Sequence, residues 1–221
     1  MKTYFDIGAN IGKWTIQNIN NCDRIIIVEA SYITYNDLIN NLKNKIIYES
    51  DFIKNRVVAI NYAVTSSPEP YIDFYQSIRS DLSSTKKEWF GDKSRFNNIP
   101  YTKIRAKTIS IDSLIEKYGT PELIKIDVEG AEYEAILSLT KKVNTLCFEW
   151  TSDDIESIKK SIDYLISIGF SQFSIQFKDN YTYRPEKYSN RDDIIKTLYN
   201  LKPHNHNVST NLDDWGMIWC N

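Results

Sequence analysis

The sequence predicts an α/β fold with a mostly parallel sheet, and three observations carry that prediction. Apolar runs rich in β-branched residues, such as Arg24–Glu29 (RIIIVE) and Val57–Val64 (VVAINYAV), read as strands buried on both faces. Segments with helical spacing follow them, as in Ile11–Asn20 and Tyr35–Lys43. Strands and helices alternate in both halves of the chain, as parallel sheets require of their crossovers.

The elements follow in order. Lys2–Asp6 is a short strand, and Ile11–Asn20 a helix through Ile11, Trp14, Thr15 and Ile19. Arg24–Glu29 is the second strand, and Tyr35–Lys43 a helix with Leu38 and Leu42 one turn apart. Val57–Val64 is the third strand. The middle then changes character. Tyr71–Tyr75 and Arg105–Ile111 alternate like a β-ribbon, while Ser80–Pro100 has no period and carries Trp89, Phe90 and Phe96. Asp112–Lys117 reads as a short helix capped by Asp112 and stopped by Gly119 and Pro121. Alternation returns with a strand at Leu123–Asp127, a helix at Ala131–Leu139 and a strand at Thr145–Trp150. A helix follows at Ser152–Ile168, capped by Ser152 or Asp153 and stopped by Gly169, then a strand at Phe170–Phe177. Residues 178–211 are polar and rich in Tyr and Asn, with one helix at Asp192–Leu201, before a last strand at Trp215–Cys220. With no repeat and no linker, residues 1–221 are expected to form one domain with insertions at about 65–111 and 178–211.

Composition excludes several classes. A chain of 221 residues with 42% hydrophobic and 25% charged residues has the balance of a globular protein with one substantial core. A formal net charge of -2 supplies no global basic field for nucleic acid. No apolar run approaches the roughly 20 residues that span a bilayer. No secretory pattern opens the chain. Cys22, Cys147 and Cys220 are scattered, odd in number and without zinc-ligand spacing, which fits a reducing, cytoplasmic setting.

The start of the chain, MKTYFDIGANIGKWT, places an acidic residue and a glycine turn between the first strand and the first helix. Glycines let the backbone turn sharply, and the new helix presents unpaired N–H groups to a ligand. The loop Gly8-Ala9-Asn10-Ile11-Gly12 departs from the dinucleotide fingerprint G-x-G-x-x-G. Asn10 replaces the middle glycine, and Thr15 stands where the third belongs. Asp6 would repel phosphate and attract an ammonium. A phosphate-free cofactor with amino and sulfonium groups, S-adenosylmethionine, suits such a loop better than a dinucleotide. Glu29 ends the second strand 21 residues after Gly8, where a doubly wound fold places the carboxylate that accepts from ribose hydroxyls.

These residues, with VEA (Glu29 and Ala30), INYAV (Asn61, Ala63 and Val64) and TISIDSLIEKYGTPELIKIDVEGAEYEAI, resemble the FkbM family of class I S-adenosylmethionine-dependent methyltransferases. The resemblance runs from about Thr3 to Glu149, and KIDVEGAE is its most specific part. It implies a Rossmann-like seven-stranded sheet of order 3-2-1-4-5-7-6 with the last strand antiparallel. It also implies O-methylation, commonly of hydroxyls on sugars, glycoconjugates or other natural products. By the same resemblance Asp6, Gly8, Asn10 and Gly12 hold the methionyl part, Glu29 the ribose, and Ala63 and Val64 flank the adenine.

Ligands of open parallel sheets bind beyond the carboxyl ends of the strands. Asp6, Glu29, Ala63–Val64, Asp127–Glu129, Glu149–Trp150, Phe177 and, across the antiparallel last strand, Asn211–Asp214 belong to that edge. Asp127 is expected to touch cofactor or substrate; Glu129 and Glu132 lie near a helix N-terminus, which stabilises acidic residues, and for Glu132 that reading is preferred. The proton acceptor is sought among Asp127, Glu149, His204 and His206, although the two histidines read more readily as exposed polar loop residues. Asp127 and Glu149 could instead hold a magnesium ion, a less favoured route because the spacing is not diagnostic. The segment 76–104, with Arg79, Asp81, Ser83, Ser84, Trp89 and Phe90, is expected to select the acceptor. So is 178–211, with Tyr181, Tyr183, Arg184 and Tyr188. The alternatives are a nucleic-acid methyltransferase, disfavoured by charge and by the lack of an N-P-P-[YF] run, and a non-catalytic cofactor-binding module.

Overall fold

The structure is a computed structural model that describes residues 1–46, 56–92, 94, 96–178, 180–201 and 215–221. Its main sheet has seven strands: β1 (Thr3–Ile7), β2 (Arg24–Val28), β3 (Val57–Ile60), β7 (Leu123–Ile126), β8 (Thr145–Thr151), β9 (Phe173–Phe177) and β10 (Trp215–Cys220). Their order is β3-β2-β1-β7-β8-β10-β9. Counting only these seven, that is 3-2-1-4-5-7-6, and β10 runs antiparallel to both neighbours. The remaining strands, β4 (Ala63–Val64), β5 (Tyr71–Ser77) and β6 (Tyr101–Ile109), form a second sheet of order β4-β6-β5. The described α-helices are α1 (Lys13–Asn18), α2 (Tyr32–Ile46), α3 (Ile111–Tyr118), α4 (Glu132–Ile136), α5 (Ile155–Ser167) and α6 (Arg191–Asn200). Among the described residues no helix is long and apolar enough to cross a membrane.

The period of two along each central strand divides the core into two layers. Phe5, Ile7, Ile26 and Val28 pack in the layer that also holds Leu114 of α3, Ile136 of α4 and Ile162 of α5. Tyr4, Ile25 and Ile27 pack in the other, with Trp14 of α1, Leu38 of α2 and Trp219 of β10. Asp6 and Lys125 break the apolar pattern. They are register partners on adjacent parallel strands and are 0% and 5% exposed.

The structure moves several expected boundaries. Val57–Val64 is two strands in two sheets. After Ile60 the Asn61 side-chain amide donates to the carbonyls of Glu29 (2.8 Å) and Ala30 (3.0 Å), and Ala63–Val64 then pair in parallel with Thr108–Ile109. α3 is capped by Ser110, whose Oγ accepts from the Ser113 N–H, while Asp112 accepts from Thr140. α5 is capped by Asp154, because Ser152–Asp154 form a 3-10 turn under the Thr151 hydroxyl. The helix expected over Ala131–Leu139 is confined to Glu132–Ile136.

Candidate active site

The glycine loop closes on the end of β2. The N–H groups of Gly8 and Ala9 donate to the Val28 carbonyl at 2.9 and 3.1 Å. Gly8 has φ +73°, and a Cβ there would lie 1.7 Å from the Asp127 carbonyl oxygen. Only glycine lets the loop pass so close to the end of β7. Asn10 also takes a positive φ (48°), and its N–H donates to Glu29 Oε2 at 2.9 Å. Glu29 Oε1 accepts from the Ser31 N–H at 2.8 Å. Burial pushes the Glu29 carboxyl up to about 7 despite these two N–H donors. Each of its oxygens keeps a lone pair for a further donor. The Asn10 side-chain oxygen is buried and has no hydrogen-bond partner among the described residues.

A cleft of about 590 Å³, counting the space open to solvent, lies above this loop. Gly8, Asn10, Glu29, Ala30, Ala63, Val64 and Asp127, among the residues expected to hold a cofactor, line it. Val28, Tyr62, Phe74, Ser80, Ser83, Thr85 and Glu129 line it as well. Four expected residues shape the cleft without lining it. Ala9 and Asn61 hold loop and strand ends through backbone carbonyls. Gly12, at φ +86°, starts α1 against Leu38. Asp6 is wholly buried, accepts from the Thr15 hydroxyl at 2.5 Å and faces Lys125 Nζ at 3.4 Å. Its charge is therefore spent inside the fold rather than presented to the loop.

Lys125 is the site residue that sequence reasoning missed. Its Nζ donates to the Gly8 carbonyl (3.0 Å) and pairs with Asp127 Oδ2 (3.0 Å) and Asp6 Oδ1 (3.4 Å). Burial alone would favour the neutral amine, but Asp127 and Asp6 outweigh it and hold the ammonium above its usual range. One cation thus fixes the loop, the end of β1 and the end of β7. Its signal was legible in part: a lysine inside a run otherwise as apolar as LIKI must find anions.

Beyond β7 the chain turns sharply through Glu129 (φ 56°) and Gly130 (φ 84°). Glu132 closes this turn, accepting from the N–H groups of Val128 (2.9 Å) and Gly130 (3.3 Å), and burial raises its carboxyl to about 7. Oxygens of Asp127, Glu129 and Glu149 all lie within 4.8 Å of one another. Burial, then the neighbouring carboxylates, hold Glu129 and Glu149 well above the usual range. The spacing would also admit a divalent cation; no histidine or cysteine joins the trio among the described residues.

Glu149 also lines a smaller cleft of about 290 Å³, beside Trp89, Gly130, Glu132, Thr151 and Ser157. Of the first expected selectivity segment, Ser83 and Trp89 reach a cleft, while Ser84 pairs with the Tyr75 backbone and Phe90 packs on Tyr101. Arg79 pairs with Asp81 at 2.7 Å. The second segment lines neither cleft among its described residues. Tyr181, Tyr183 and Tyr188 pack on the core layer of Trp219, and Arg184 stacks on Trp219 and donates to Asn18. Their apolar faces are worth more buried than exposed. His204, His206 and Asn211–Asp214 lie outside the described residues.

The family model described as Methyltransferase FkbM domain matches residues 6–185. No curated protein matches. Similar solved structures include Methyltransferase FkbM from Methylobacillus flagellatus KT, 14% identical with a TM-score of 0.54. That match covers 100% of this chain and 43% of the other, so this chain spans less than half the length of that protein. Precorrin-6y C5,15-methyltransferase from Geobacter metallireducens GS-15 is 11% identical with a TM-score of 0.49, covering 99% of this chain and 79% of that one. P. horikoshii TYW2 in complex with MeSAdo is 11% identical with a TM-score of 0.42, covering 85% and 53%. At these identities the likeness is one of fold.

Proposed function

The chain belongs to the FkbM methyltransferase family, and from that premise we propose that it methylates a hydroxyl, that of a sugar or glycoconjugate, with S-adenosylmethionine as donor. The observation that carries this reading is the pairing of the Glu29 loop cleft with an acidic turn at the carboxyl end of β7. The cofactor fits what the cleft leaves open. Glu29 retains acceptor capacity for ribose hydroxyls, the Asn10 side-chain oxygen lacks a donor, and Ala63 and Val64 offer an apolar wall for a base. When bound, S-adenosylmethionine supplies a methyl group on a sulfonium, and the C–S bond breaks as the C–O bond forms.

The protein's own residues must align the acceptor and take its proton. Lys125 holds Asp127 in one orientation at the junction of the two clefts. Glu149 and Glu129 have no hydrogen-bonded or ionic partner among the described residues, and burial makes them avid for a proton. We assign the proton-acceptor role to Glu149, which lines the smaller cleft, and an orienting role to Asp127. The carboxylate lining argues against a polyanionic nucleic acid as acceptor. Three free, buried cysteines fit a cytoplasmic setting.

Incubation with methyl-labelled cofactor and a panel of sugars and glycans tests the reading by mass spectrometry. Label on a hydroxyl, unaffected by EDTA, is the expected result. No transfer to any hydroxyl acceptor by protein that binds the cofactor would overturn it, and EDTA-sensitive transfer would replace Glu149 by a magnesium ion held on the acidic trio.

A further inference from the structure

We propose that the smaller cleft is the acceptor subsite, and that it takes a neutral or cationic polyhydroxylated ring while turning away rings that carry an anionic group. This deepens the reading above and rests on it for the chemistry, though ring binding can be measured without it.

Position comes first. The two clefts meet at one turn: Asp127 and Glu129 line the larger, Gly130 and Glu132 the smaller. Glu149 lies in the smaller cleft with an oxygen within 4.8 Å of oxygens of both Asp127 and Glu129. A ring in the smaller cleft therefore presents a hydroxyl where the clefts join. The cleft, about 290 Å³ with the space it shares with solvent, is the smaller of the two and opens beside Glu149.

The walls suit a polyol. Trp89 lies directly on the Gly130 backbone, where a Cβ would come within 2.5 Å of its ring. Its indole N–H is buried with no acceptor among the described residues. The Glu149 carboxylate has no partner among the described residues. Partly buried polar groups left unpaired in this way call for an external partner. Hydroxyls can pair with the Glu149 carboxyl, and Trp89 adds apolar surface to the cleft wall.

Charge then selects. Glu29, Asp127, Glu129, Glu132, Glu149 and Asp154 line the two clefts, and no lysine or arginine does so among the described residues. The nearby cations are committed elsewhere. Lys125 lies between Asp6 and Asp127, Lys86 is 3.2 Å from Glu134, and Arg79 pairs with Asp81. A phosphate or uronate in the smaller cleft would meet no lysine or arginine among the described residues and would drive the cleft's already raised carboxyls further toward the protonated form, a cost that acts as specificity. An ammonium would instead favour their ionised form.

Saturation-transfer NMR on the full chain tests this, with methyl glucoside, glucosamine, glucuronate and glucose 6-phosphate as probes, with and without S-adenosylhomocysteine. The first two are expected to bind at least about tenfold more tightly than the last two. Glu149→Gln should weaken glucosamine about tenfold while leaving S-adenosylhomocysteine affinity unchanged. Ser157→Lys, on the cleft wall in α5, should reverse the preference, losing glucosamine and admitting glucuronate. Equal binding of all four probes, binding of none, or a preference that neither variant moves would overturn the proposal. Titration of S-adenosylhomocysteine on the same samples separates the two readings. Charge-selected ring binding without it overturns the cofactor reading alone, and its binding without charge selection overturns the subsite alone.

Discussion

The Lys125 ammonium has 6% of its side chain exposed and faces two carboxylates and a carbonyl. Removing it would leave Asp6 and Asp127 as buried or half-buried anions without compensation. Lys125→Met is therefore expected to destabilise the fold by about 3–5 kcal/mol, read by urea denaturation. A loss below about 1 kcal/mol would mean that the triad is not what holds the loop to β7. Glu29 gives a second residue-scale expectation, with opposite signs for folding and binding. Its carboxyl is raised from 4.5 to about 7 in the fold, as is that of Glu132, so the folded chain holds protons that the unfolded chain has released. Their stabilising contribution is complete below pH 4.5 and is lost as pH rises through 7. The melting temperature of the ligand-free protein should thus be higher at pH 5.5 than at pH 8. Binding of ribose hydroxyls needs the ionised form, so cofactor affinity should rise about tenfold from pH 6 to pH 8. A melting temperature that rises with pH across this window would contradict the first expectation, and a flat affinity the second.

At the scale of elements, the turn after β7 depends on one glycine. Gly130 has φ +84° and carries the Trp89 ring where a Cβ would stand. Gly130→Ala should cost about 1–3 kcal/mol and displace Trp89, visible as a change in tryptophan emission. An unchanged spectrum and stability would show that the turn has another support. The turn was legible in KIDVEGAE, because an acidic strand end followed by glycine and a helix has few other meanings. The function of its glutamates was not. Glu129 and Glu132 looked like ordinary first-turn acids, whereas Glu132 binds the turn's own N–H groups and Glu129 enters the cleft. The break inside VVAINYAV was hidden for a similar reason. Asn61 reads as one polar residue in a strand until the Glu29 and Ala30 carbonyls that it caps are known. Tyr181, Tyr183 and Tyr188 could have faced a ligand or the core, and only tertiary packing decides for the core.

At the scale of the molecule, strand order and the antiparallel last strand followed from the family resemblance, and the alternation of apolar runs with helices fixed the class. The larger cleft was also legible, because Gly8, Asn10 and Glu29 lie at the ends of the first two strands, where a parallel sheet brings them together. Contacts between distant segments were not. Lys125 meets Asp6 only through the register of β1 with β7, and Trp89 meets Gly130 only through a tertiary contact between distant segments. The whole arrangement concentrates carboxylates at one end of the sheet, a field that favours a sulfonium over a phosphate. Calorimetric titration of S-adenosylmethionine into the wild-type chain and into Glu29→Ala, with NADH as control, tests this most directly. Saturable binding to the wild type, weaker by about 1.5–3 kcal/mol in the variant and absent for NADH, is the predicted result. No binding to the wild type, or equal affinity in the two proteins, would contradict the account.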